Sequence, residues 1–125
     1  MFERALIAGM GAARFGIGAS VWIAPRAAMR VLGFEPDNGQ VLALARLGGT
    51  RDLALGAIAI ATRADPTTAT AVARVNASVD GFDALAFAIA LVRREGIDRA
   101  AVMGASSASI AAAIGAWLGR HRSLI

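Results

Sequence analysis

The chain has no cysteine, no lysine and no tyrosine, and its one histidine is His121. Without cysteine there are no disulfides, no thiol redox chemistry and no thiolate metal sites. A lone histidine near the C-terminal end also removes the zinc constellations that need several imidazoles. Charge is scarce: 18% of the 125 residues are charged and 57% are hydrophobic, against about 25% and about 45–50% in soluble domains. The net charge of +4 is carried by arginines that lie singly along the chain, apart from Arg93-Arg94 and Arg120-His121-Arg122. A nucleic-acid surface needs basic residues gathered on one solvated face, and the sequence does not offer one.

Other chemistry is missing as well. Gly9-x-Gly11 and Gly16-x-Gly18 follow no strand, so they do not read as a dinucleotide fingerprint. Ser106, Ser107 and Ser109 share a segment that holds no histidine to activate them. No nucleophile–base pair can be named, so no catalytic residue, cofactor or metal is expected, and an intramembrane enzyme is a trailing alternative.

What is present is four apolar stretches, residues 5–24, 41–62, 70–92 and 100–118. Each is long enough to cross a hydrocarbon core, which takes about 20 helical residues. Their punctuation is consistent. Pro25 follows the first, and Asp37 and Asn38 offer N-caps before the second. Asp65-Pro66 is an N-cap followed by proline at the first helical position. Gly96 stops the third, and Asp98 can cap the fourth. Residues 25–34 mix arginines with an apolar stripe and read as a short interfacial segment. Trp22 and Trp117 sit near segment ends, where an indole favours the headgroup level.

Hydropathy alone does not decide between membrane and water. In the first stretch the apolar residues contribute about −0.3 to −0.6 kcal/mol each, and Arg14 costs about +2.5 to +3.5 at a helix centre. The sum is near zero. Patterning decides, because a soluble helix needs a polar face. Residues 100–118 contain no charge, and residues 5–24 contain only Arg14. A signal peptide would not tolerate Arg14 in its apolar region. The expected fold is therefore all-α: a single domain over residues 1–125, an integral membrane four-helix bundle running up-down-up-down.

The polar residues inside these stretches lie near one depth. Arg14, Arg51, Asp52, Asp80 and Asp83 fall close to the segment centres, on three different helices. Asn76, Asp80, Asp83 and Phe87 share a stripe on the third helix, and Gly48, Asp52, Gly56 and Ala59 share one on the second. Arg74 points away from the Asp80 stripe and, like Arg46, is expected to snorkel towards the interface. Asp80 and Asp83 would be costly unpaired at that depth, so Arg14 and Arg51 are their expected partners. Two arginines against three aspartates leave one negative charge, to be balanced by a proton, a cation or a small ligand, or by a neutral aspartate. The candidate site is thus Arg14, Arg51, Asp52, Asn76, Asp80 and Asp83, read either as a structural ion-pair network or as a ligand or proton site. Gly9, Gly11, Gly16 and Gly18, with Gly104, Ala108, Ala112 and Gly115, read as helix-packing faces. They suggest a homo-oligomer or a partner membrane subunit.

Pro25 followed by Leu32-Gly33-Phe34, then Arg46-x-x-Gly49-x-Arg51-Asp52, then Asp80-x-x-Asp83, resemble a family of uncharacterised four-helix bacterial membrane proteins. The resemblance implies a bacterial cytoplasmic-membrane protein and transfers no activity. The expected function is that of a structural or accessory membrane subunit, with a proton- or cation-linked transporter or solute binder as the alternative. The arginines on the two sides are nearly balanced, with a slight lean towards both termini outside.

Overall fold

The computed structural model describes residues 2–35 and 39–121, so the caps expected at Asp37 and Asn38 lie outside the described residues. The chain is all-helical, with five helices among the described residues: α1 (Phe2–Ile23), α2 (Pro25–Val31), α3 (Gly39–Thr62), α4 (Pro66–Val92) and α5 (Asp98–His121). The four expected stretches coincide with α1, α3, α4 and α5. The helices run further than their apolar stretches because polar first turns are helical too. α4 begins at Pro66, whose fixed φ suits the first helical position, and α5 takes Asp98 into its first turn.

Three helices are long and apolar enough to cross a membrane: Phe2–Ile23, Pro66–Val92 and the Asp98–Arg120 part of α5. This points to membrane association. α3, expected as a fourth span, is not among them. Any 18-residue stretch of it contains Arg46, Arg51 and Asp52.

The described chain divides into two compact units: α1, α2 and α3 form the first, and Leu32–Phe34, α4 and α5 the second. In the first unit the residue before Pro25 is pushed out of helical geometry, and the chain bends at Ala24 between α1 and α2. Met29 is buried while Arg26 and Arg30 are exposed, which is the amphipathic pattern expected of this segment. α1 and α3 pack antiparallel: Gly11 lies on Gly56 and Gly18 on Gly49. A methyl group added at Gly18 would lie 2.5 Å from the Gly49 carbonyl oxygen, and one at Gly56 2.6 Å from that of Gly11. Backbone meets backbone here, which only glycine allows.

In the second unit α4 and α5 are also antiparallel. Gly115 faces Ala73 and Ala77, Gly104 lies under the Phe87 ring, and Gly119 lies under the Arg74 stem. Gly104, Gly115 and Gly119 of α5 therefore face α4 within the chain. The Leu32-Gly33-Phe34 motif docks on this unit. Gly33 adopts φ 90° against the backbone of Ala100, and Phe34 packs on Phe87 with ring centroids 6.2 Å apart. α4 closes with a Schellman turn, in which Glu95 N–H donates to Ala90 O and Arg94 N–H to Leu91 O. The left-handed residue of that turn is Arg94, φ 52°, two positions before the glycine expected to stop the helix. Gly96 has a positive φ as well but lies in the connection to α5.

Alanines make up much of the interior, together with Ile7, Val21, Met29, Leu42 and Leu118, while many large apolar side chains face outward. Ala59, Ala69, Ala73, Ala90, Ala100 and Ala101 are buried, whereas Ile23, Leu47, Phe82, Val92 and Ile110 are exposed.

Candidate functional site

The first unit is built around one charged pair. Arg14 Nη1 donates to Asp52 Oδ1 at 2.9 Å, and the two side chains are 13% and 18% exposed. Arg14 lies between Gly11 and Gly18 on α1, and Asp52 between Gly49 and Gly56 on α3. Both helices thus carry the same spacing, Gly11-x-x-Arg14-x-x-x-Gly18 and Gly49-x-x-Asp52-x-x-x-Gly56. Positions i, i+3 and i+7 share one helix face, and the antiparallel register brings the two faces together with the charges at the centre. The glycines set the helix separation, and that separation lets a guanidinium span to a carboxylate on the facing helix.

Arg51 belongs to the same locality. Its Nη2 comes within 3.8 Å of Asp52 Oδ1, near enough for attraction but too long for a hydrogen bond. Its side chain is 43% exposed. Asp52 therefore sits in the field of two arginines, one held firmly and one loosely. At the far end of α1, Trp22 Nε1 donates to Thr50 Oγ1 at 3.2 Å, and Thr50 in turn donates to the Arg46 carbonyl.

Asn76, Asp80 and Asp83 lie on α4, in the second unit. Asn76 donates through Nδ2 to the Val72 carbonyl one turn back, at 3.0 Å, so this donor is used within its own helix. Asp80 is buried, at 5% exposure, and Asp83 is half-buried. Ala73, Asp80 and Phe87 recur every seven residues along α4. Since Ala73 meets Gly115 and Phe87 meets Gly104, Asp80 is level with the alanines between those glycines on α5. Ser107 donates to the Met103 carbonyl.

Arg74, expected to snorkel towards the interface, lies across α5. Its stem covers Gly119, and its Nη2 donates to the Gly119 carbonyl at 3.1 Å. A cation at the C-terminal end of a helix satisfies an open carbonyl and opposes the helix dipole.

Sequence reasoning found Arg14 and Asp52 but chose Gly48 as the glycine beside Asp52. Gly48 has open space around it, as do Gly9 and Gly16. The signal that separates the buried from the open glycines is the shared Gly-x-x-charge-x-x-x-Gly spacing on two helices. No protein-family model matches the chain, and no curated protein or solved structure does either.

Proposed function

We propose that the chain is an integral protein of a cell membrane whose Arg14–Asp52 pair is structural, locking α1 to α3 in a fixed register, and that it serves as a structural or accessory membrane subunit. The observation that carries this reading is the 2.9 Å charged pair enclosed by two glycine contacts. The membrane setting is supported by the many large apolar side chains that face outward, since lipid tails accept exposed Phe82, Val92 and Ile110, and by the close glycine contacts between α1 and α3. It is also supported by depth. Arg14 stands about 15 Å along the helix axis from Arg4, and Asp52 about 16 Å from Arg63. Half of a hydrocarbon core of about 30 Å is the same distance. Asp52, drawn to both Arg14 and Arg51, brings two of the three charges in the interior of α3 into ion pairs, and α3 is then the fourth span.

Melting temperatures in detergent test the structural reading. Breaking a buried pair costs about 3–5 kcal/mol, whereas replacing both partners with apolar residues is nearly neutral. Asp52→Asn and Arg14→Met should each melt earlier, and Arg14→Met/Asp52→Leu should recover most of the loss. A stabilised Asp52→Asn variant would overturn the proposal, because it would mean the carboxylate is held against repulsion for a ligand.

A second reading rests on Asp80. A carboxylate at 5% exposure on the inner face of the α4–α5 pair, about 5 Å of helix from the midpoint between Arg74 and Arg93, favours a proton- or cation-linked transporter or solute binder. Proton flux in vesicles, lost in Asp80→Asn while the fold is kept, is its test.

A further inference from the structure

We propose that the α4–α5 pair carries a binding site for an anionic phospholipid, with the acyl chain in a groove between the helices and the phosphate against Arg74 and Arg120. The groove is open to the outside, offers ≈ 430 Å³, and is lined by Ala77, Ser78, Ala112, Ala116 and Gly119 together with the two arginines. That volume falls within the ~300–1,000 Å³ typical of small-molecule sites, and no acidic side chain among the described residues lines it. The lining is mostly apolar and the charged groups stand at one end of the helix pair, which is the division of a lipid into tail and headgroup.

Depth agrees, and here the inference rests on the membrane reading above. From Arg74 to Arg93 along α4 is about 28 Å, and from Arg99 to Arg120 along α5 about 31 Å. Both match a hydrocarbon core of about 30 Å, so Arg74 and Arg120 stand where the headgroups begin. Arg74 is already oriented: one Nη2 bond to the Gly119 carbonyl holds its guanidinium over the groove, and a guanidinium has five N–H donors. The C-terminal dipole of α5 opposes an anion with about half a unit charge, less than the full charge of the Arg74 guanidinium alone.

The test uses the full chain with Trp22→Phe, so that Trp117, adjacent to Ala116, is the sole fluorophore. The protein is placed in phosphatidylcholine vesicles that carry a minor fraction of brominated lipid, with either a phosphatidylglycerol or a phosphatidylcholine headgroup. Brominated phosphatidylglycerol should quench Trp117 preferentially. Arg120→Gln should lower that preference about fivefold, the ~1 kcal/mol a basic side chain contributes beside an anionic surface. Ala116→Leu, which fills the groove without changing charge, should lower it as well. Equal quenching by the two lipids would overturn the proposal. So would loss of the preference on adding soluble glycerol phosphate, which would make a free phosphate ester the occupant. If neither lipid quenches while the protein floats with the vesicles, another polypeptide covers the groove and the proposal fails. If the protein does not float at all, the membrane reading itself has failed.

Discussion

Substituting alanine for glycine at two neighbouring positions of α1 should change stability in opposite directions. At Gly18 the added methyl would sit 2.5 Å from the Gly49 carbonyl oxygen and 2.8 Å from Leu53 N. Both are backbone atoms of a helix and cannot rotate away. The helices must part by about 0.9 Å to restore the 3.4 Å of an ordinary contact, and a gap of about 0.5–1 Å forfeits a quarter to a half of each dispersion well it opens. The same movement would stretch the 2.9 Å Arg14–Asp52 bond beyond hydrogen-bond length. Overpacking of this kind costs about 1–3 kcal/mol, against a gain of about 1 kcal/mol from replacing glycine within a helix. At Gly16 there is nothing within 4 Å, so only the gain remains. Gly18→Ala should melt below the parent protein and Gly16→Ala at or above it, measured side by side in one detergent. Gly56→Ala should behave like Gly18→Ala, because its methyl would meet Gly11 O and Phe15 N. If Gly18→Ala is as stable as Gly16→Ala, the backbone-to-backbone packing of α1 and α3 is wrong.

Two further outcomes follow from local geometry. Arg94 holds φ 52° in the turn that ends α4, a conformation costing a non-glycine residue about 1 kcal/mol; Arg94→Gly should raise the melting temperature, and an unchanged or lowered value would count against that turn. Thr50→Val removes the acceptor of the Trp22 indole, which should cost about 0.5–1.5 kcal/mol and shift the Trp22 indole N–H resonance; a resonance that does not move would show the bond is not made.

Hydrophobic stretches and their punctuation determined the helices on their own. An apolar run bounded by Asp65-Pro66 or by Ala24-Pro25 has few other local conformations, and backbone hydrogen bonds close within the segment that forms them. The presence of a charge inside α1 and of an acid inside α3 was equally legible, but their pairing was not, since the arginines are expected from the sequence to answer Asp80 and Asp83, whereas Arg14 pairs with Asp52. The tertiary structure decided which faces meet. Gly9 and Gly16, like Gly11 and Gly18, lie seven residues apart and offer equivalent small-residue stripes to any periodicity argument. Only Gly11 and Gly18 flank Arg14 on its own face, and only Gly49 and Gly56 flank Asp52 in the matching spacing, so register is settled by the two helices together. Arg74 is the same case. Its position along α4 suggests an interfacial side chain, and the carbonyl of α5 that it bonds adjoins it only once the two helices are side by side. The end of α4 was also decided above the level of residue preference, since the left-handed turn falls on Arg94 although a glycine stands two residues further on. Local preference fixes where a helix can form, whereas the distance between two backbones depends on both chain segments at once.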